Sequence, residues 1–224
     1  MHKITLISTE HDESGKCNPD ELYKIIEAIR PEVIFEELAN DDFHRYYNEE
    51  SSFKPLEVQC IKNYLQNHDI KHIPVDIEPN QYLSFKEWDY MLDTFKKYDV
   101  YKKLLTEHCA LRDKEGFAYF NSKKFSDLFD KVENVKIQLI EFSGLNKNEL
   151  LRIYKLFHKE HDARENAMLL NIYNYSKENK YKQAVFLLGN AHRKSMIKKI
   201  IEYEKISEIK LSWTIYDNKQ KTCC

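Results

Sequence analysis

The chain has 224 residues, 35 of them Lys or Arg and 37 Asp or Glu, for a net charge of −2. That balance offers no basic face or stripe for nucleic acid, and no apolar run approaches the roughly 18–20 residues of a membrane span. With 42% hydrophobic and 32% charged residues but only 4 Gly and 5 Pro, the composition is that of one large globular domain rather than a repeat or linker-rich chain.

The first elements alternate strand and helix. Ile4 to Ile7 reads as a buried strand and runs into Ser8-Thr9-Glu10-His11. No secretory signal is read ahead of it, because this strand begins at Lys3 and carries Thr5 in its middle. A helix opens at Asn18, with Asn18 as N-cap, Pro19 at its first position and Asp20 and Glu21 next. Its apolar stripe is Leu22, Ile25, Ile26 and Ile29, and Pro31 blocks continuation. Val33-Ile34-Phe35 is a second strand, leading to Glu36-Glu37. A helix from Leu56 to Asn67 and a strand from Lys71 to Ile77 follow. Pro74 marks that strand as an edge or bulge.

Residues 83–180 read as a mainly helical insertion between N-terminal βα units (residues 1–82) and a C-terminal βαβ unit (residues 181–224). Ser84 and Glu87 form a capping box for a helix with Phe85, Trp88, Leu92 and Phe95 on one face. The stretch from Gly116 to Gly144 has no decisive period. A long helix spans Asn146 to Glu178, its stripe being Leu150, Tyr154, Phe157, His161, Arg164, Met168, Asn171 and Tyr175. Strand Ala184 to Leu188 then runs into Gly189-Asn190-Ala191-His192, followed by a helix from Lys194 to Tyr203 and a strand from Ile209 to Ile215. The expected fold is α/β, a central mostly parallel sheet flanked by helices. Five cysteines, at positions 17, 60, 109, 223 and 224, lack zinc or disulfide spacing. They fit reduced thiols in a cytoplasmic protein, with Cys223-Cys224 as a frayed tail.

Ligands of a parallel sheet bind outside the carboxyl ends of its strands. Here those ends carry Glu10-His11, Glu36-Glu37, Asp76 and Gly189-Asn190-Ala191-His192. Two imidazoles with carboxylates suit a divalent transition metal such as Zn, Mn or Co, and a second carboxylate suits a general base. His161 and Arg164 interrupt the stripe of the long helix on one face. An arginine there needs a carboxylate or an anionic ligand; its local alternatives are Glu160 and Glu165. Alternation along a strand turns Glu36 and Glu37 to opposite sides, so one of them faces the crevice and the other is free to pair at the surface.

The order of these motifs resembles the Tiki/TraB/PrgY superfamily and its erythromycin esterase-like and ChaN-like relatives. Gly189-Asn190-Ala191-His192 matches the second of that family's two G-x-x-H motifs, and Ser8-Thr9-Glu10-His11 matches the first with Ser8 in place of Gly. Any position there that needs φ > 0 would be strained by Ser8. Pro31 to Leu38 resembles the family's acid-bearing phrase after the second strand, Asp76 the acid closing the third, and Arg164-Glu165 with Met168 its R-D-x-x-M signature. The resemblance implies a metal-dependent hydrolase acting on a peptide or a related amide or ester. His11 and His192 are then metal ligands, and Glu36 or Glu37 is ligand or base. Arg164 stabilises an oxyanion or binds a substrate carboxylate, while Glu10, Asp76, His161, Gly189 and Asn190 are auxiliary. The alternative is a non-catalytic regulatory protein that binds a peptide or small ligand in the same crevice.

Overall fold

A computed structural model of the protein describes residues 2–48, 54–78 and 83–217. The boundary at residue 82 and the Cys223-Cys224 pair lie outside them. Five strands form one sheet in the order β3-β2-β4-β1-β5: β1 (Lys3–Thr9), β2 (Val33–Glu36), β3 (Lys71–Pro74), β4 (Gln183–Gly189) and β5 (Ser212–Ile215). Every pairing is parallel. The strands are near-continuous apolar runs because helices cover both faces. Pro74 is at home in β3 because β3 is an edge strand.

Alternation decides which helices each face receives. Ile7, Ile34, Val185 and Leu187 pack with α1 (Pro19–Ile29) and α3 (Leu56–Leu65). Ile4, Leu6, Phe35, Phe186 and Leu188 pack on the other face with α8 (Lys147–Glu178) and α9 (Arg193–Ile206). Helix α1 carries the chain from β1 past β4's place to β2, and α9 carries it from β4 past β1 to β5, in the opposite direction and on the opposite face. Helices diverge in this way at a topological switch point, here between β1 and β4, where a crevice opens.

The local signals explain the helix ends. Asn18 Oδ1 accepts from Glu21 N at 3.0 Å, and α1 stops at Arg30, the one non-glycine residue at positive φ among those described. The ambiguous stretch is helical. Following α5 (Asp99–Glu115), it forms α6 (Phe117–Phe120) and α7 (Lys123–Glu141), the last capped by Ser122. A short helix, α2 (Asn40–Asn48), lacks an apolar stripe in the sequence and buries only Tyr46. In α4 (Phe85–Phe95) the capping box forms, but Met91 and Phe95 are the buried apolar residues and Phe85 is 90% exposed. Among the described residues no helix is long and apolar enough to cross a membrane.

One side chain finishes the sheet. Strand β5 pairs with β1 only as far as Leu6, and the Tyr216 N–H reaches Leu6 O at 2.9 Å. Beyond it Asn121 takes the place of a strand: its Oδ1 accepts from Ser8 N at 2.9 Å and its Nδ2 donates to Ser8 O at 3.0 Å. Both Ser8 and Asn121 are buried. Asn121→Ala leaves those backbone groups unpaired and is expected to lower stability by about 2 kcal/mol, read from urea denaturation midpoints.

Candidate metal centre

The two histidine-bearing phrases end side by side, but one residue out of step. Thr9 pairs with Gly189 across the β1–β4 ladder, so Ser8 faces Leu188 rather than the glycine it resembles. Asn190 Nδ2 locks them together by donating to Thr9 O at 3.1 Å. Neither motif uses a positive φ at its first position: Gly189 has φ −53°, and Ser8 is not among the residues at positive φ. What Gly189 provides is room. A Cβ there would lie 3.1 Å from Glu37 Oε2 and 3.4 Å from His11 Nε2, and its own N–H donates to Glu37 Oε2 at 2.6 Å.

Each histidine is held by a buried glutamate from a helix on its own side of the sheet. On the α3 side, Glu57 Oε1 accepts from Thr9 Oγ1 at 2.6 Å and lies 3.2 Å from His11 Nδ1. On the α8 side, Glu165 Oε1 lies 2.9 Å from His192 Nδ1, and its Oε2 accepts from Ser195 Oγ at 2.5 Å. With both Nδ1 atoms occupied, His192 turns Nε2 to Glu37 Oε1 at 3.3 Å, while His11 Nε2 and Glu37 Oε2 each lie close to Gly189. Glu37 therefore sits between the two imidazoles. His192 is 3% exposed, whereas the His11 side chain is 52% exposed.

Arg164 closes the third side. Its Nε donates to Asp76 Oδ2 at 2.9 Å, its Nη2 to Glu37 Oε1 at 3.0 Å, and Nη2 also reaches Asp76. The partners of Arg164 are thus Asp76 and Glu37, across the sheet end, rather than its helical neighbours Glu160 and Glu165. Asp76 anchors the guanidinium and is itself capped by Ile77 N at 2.8 Å. His161 lies over His192 with ring centroids 4.2 Å apart and over Phe157 at 3.9 Å. His161, Glu165 and His192 form the one group of potential metal-binding side chains among the described residues whose donor atoms all lie within 4.8 Å of one another.

Two expected residues lie elsewhere. Glu36 shares its face with Ile34, so it points into the α3 layer, where it accepts from Tyr47 OH at 2.7 Å and meets His72 Nδ1 at 2.8 Å. It is buried there, not paired at the surface. Glu10 turns to Arg112 Nη1 at 3.4 Å, because the residue after Thr9 no longer belongs to the sheet. Neither joins the donors around Glu37. Conversely, Glu57, Glu165 and Asn121 hold the site and were not expected to. Glu165 adjoins Arg164 in sequence, but its service to His192 depends on a contact 27 residues away.

Charge follows the contacts. Glu57 raises His11 to about 10 against the effect of burial, with a further contribution from Glu37. Burial opposes the charge on His192, yet Glu37 and Glu165 raise it to about 9. Burial would raise Glu37, but His192, His11 and Arg164 hold it well below the usual carboxylate range. Burial, helped by His192 and Arg164, lowers His161 to about 2. The Glu37 carboxylate thus favours the charged forms of both neighbouring imidazoles, and Arg164 adds a fixed positive charge beside it.

The sign of the pH dependence follows. The imidazoles have folded-state pKa values above their unfolded value of about 6.5. Their stabilisation is complete below that pH and is lost as pH rises through 9 and 10. The Glu37 contribution is present above about pH 4.5 and is lost as pH falls through its folded-state value. Urea midpoints of the chelator-treated protein should fall between pH 6.5 and 10 by an amount on the order of 2–3 kcal/mol for the buried His192, and His192→Asn should flatten the profile.

Solvent reaches this region through two clefts that share Trp88, Phe157 and His161 as a common wall. One, of about 560 Å³, also touches Glu165 and Ser195; the other, of about 530 Å³, touches Glu160 and Arg164. Both are large enough for a small ligand or a few residues of a peptide. No protein-family model, no curated protein and no solved structure matches the chain.

Proposed function

We propose that this protein is a metal-dependent hydrolase that acts on a peptide or a related amide or ester at the carboxyl ends of β1, β2 and β4. One observation carries the reading: His11 and His192 each have Nδ1 against a buried glutamate, His192 Nε2 lies 3.3 Å from Glu37 Oε1, and His11 Nε2 lies on the same side of Gly189 as Glu37 Oε2. A histidine that ligates a metal commonly donates its other ring N–H to a carboxylate, which fixes the tautomer and the ring. Two such units beside one carboxylate offer the N,N,O donor types that Zn, Mn or Co take; their donor atoms do not all lie within 4.8 Å of one another as they stand, so an ion here would have to draw them together. The motif order shared with the Tiki/TraB/PrgY superfamily supports the same assignment, and a cytoplasmic setting fits the reduced thiols.

In this reading His11, His192 and Glu37 hold the ion, with Glu57 and Glu165 orienting the imidazoles. A divalent ion at this place supplies Lewis acidity toward a carbonyl and lowers the pKa of water. Arg164, preset by Asp76, offers a fixed positive charge to an oxyanion or a substrate carboxylate. Gly189 and Asn190 keep the two strand ends in register around Glu37. His161 and Phe157 screen His192 from the clefts and keep its surroundings dry. Binding must displace protons from the imidazoles, so metal affinity rises with pH.

The test is turnover of N-acetylated peptides and p-nitrophenyl esters by protein loaded with Mn, Co or Zn. Expected is hydrolysis that EDTA removes and that His11→Ala and His192→Ala each reduce by at least about 10²-fold. Turnover that survives EDTA contradicts the metal reading. Tight peptide binding with no turnover in any metal favours the regulatory alternative.

A further inference from the structure

The cleft of about 560 Å³ lies between three helices, with Phe129 and Lys136 from α7, Phe157 and Asp162 from α8, and Lys194 and Lys198 from α9. Trp88 of α4 lies flat on Phe157, with ring centroids 3.9 Å apart, so together with Phe129 the cleft has an aromatic wall. Its inner end touches Glu165 and Ser195, the two residues linked behind His192. A ligand seated there lies beside the proposed site.

The wall carries charges of both signs, but they are not equally spent. Glu133 is engaged by Lys136 at 2.6 Å and by Tyr154 at 2.9 Å. Asp162 is paired with Lys199, and Glu165 with His192 and Ser195. Among the described residues Lys194 and Lys198 pair only with exposed acids outside the cleft, Asp130 and, at 3.8 Å, Glu202. Such surface pairs contribute little and give way to a better partner. The two lysines are four residues apart on α9, hence neighbours on one face. What the cleft has left to offer is positive charge beside an aromatic wall. The companion cleft is of the opposite character: Glu78 and Glu160 line it, and its Arg164 is already divided between Glu37 and Asp76.

We propose that this cleft recognises a peptide that carries an acidic side chain beside an apolar or aromatic one. Lys194 and Lys198 take the carboxylate, and Trp88, Phe157 and Phe129 take the apolar group. A carboxylate on a flexible side chain suits lysine, a point charge on a flexible stem, and the wall has no arginine to grip a phosphate in two places. Burial against the rings supplies affinity, while the exposed lysines supply selectivity and speed of encounter. The proposal names the substrate class of the functional reading above and rests on it only for what happens to the peptide once bound.

Trp88 reports on the cleft, and Trp213→Phe removes the other of the two tryptophans. Fluorescence titration of the EDTA-treated full chain carrying Trp213→Phe tests the proposal without metal or turnover. The probes are N-acetylated, amidated peptides that share one Phe and differ in having Glu, Gln or Lys at two neighbouring positions. The Glu peptide should bind about tenfold tighter than the Gln peptide at about 20 mM salt, and the preference should shrink at about 500 mM. Lys194→Glu together with Lys198→Glu should transfer the preference to the Lys peptide, a gain that misfolding cannot produce. If Trp213→Phe does not fold, calorimetry of the wild-type chain makes the same comparison. Equal binding of the three peptides, binding of none, or a Glu preference that survives the double substitution overturns the proposal. So does binding of adenosine monophosphate in place of the peptides, which would mark a nucleotide site. The hydrolase reading is judged separately: metal-dependent turnover without a Glu preference leaves it standing and overturns the cleft assignment, whereas a Glu preference in binding without turnover in any metal does the reverse.

Discussion

Glu37→Ala should abolish metal binding and destabilise the fold by about 3–5 kcal/mol, the largest single-site effect expected in this protein. The Glu37 side chain is 6% exposed and accepts from Gly189 N, Arg164 and His192. Truncation leaves a half-buried guanidinium with Asp76 alone and a buried imidazole with one acid instead of two. Uncompensated buried charge is what makes such losses large. Glu37→Gln separates the parts. It preserves the volume and an acceptor for the Gly189 N–H but removes the charge, so it should lose less stability than alanine and nearly as much metal affinity. Urea denaturation and calorimetric metal titration of the two variants check the pair. Equal metal affinity in wild type and Glu37→Gln would show that Glu37 is structural only.

Gly189→Ala should leave the fold nearly intact and disable the site. Its φ of −53° is open to any residue, so no backbone strain opposes the change. The added methyl instead arrives 3.1 Å from Glu37 Oε2 and 3.4 Å from His11 Nε2. Either group must move, and both belong to the proposed donor set. Misplacing reacting or binding groups by a fraction of an ångström to one ångström costs up to about 10²-fold. The expected result is a thermal midpoint within a few degrees of wild type and metal affinity or turnover reduced about 10²-fold. A variant that unfolds, or one that binds metal normally, would contradict this view of why glycine stands there.

The sheet was legible because its strands are short apolar runs ended by polar residues, and a parallel sheet collects such ends on one side. The His11, Glu37, Asp76 and His192 positions follow from that rule. Arg164 was visible as a charge in an apolar stripe. The choice between Glu36 and Glu37 was also legible in principle, since Glu36 falls on the Ile34 side by simple alternation. Glu10 defeats the same logic, because alternation ends with β1 at Thr9.

Other features could not be read along the chain. The order β3-β2-β4-β1-β5 inserts the last-made interior strand between the first two, and nothing local encodes that insertion. Glu57 looks like any acid in the first turn of a helix, where the macrodipole alone would favour it. Its role appears only when α3 packs under β1. Asn121 ends a four-residue helix and gives no sign that it completes a sheet edge. Helix α2 has a polar sequence whose burial rests on Tyr46, so periodicity could not reveal it.

The most direct measurement is a crystal structure of the full chain grown with Mn²⁺ at pH 7.5, with anomalous data at the manganese edge. The account predicts an anomalous peak among His11 Nε2, His192 Nε2 and the Glu37 carboxylate, with both Nδ1 atoms still on Glu57 and Glu165. No peak there, with Glu37 still paired to Arg164 and His192 at saturating metal, would contradict it. So would a peak held by His161, Glu165 and His192 without His11.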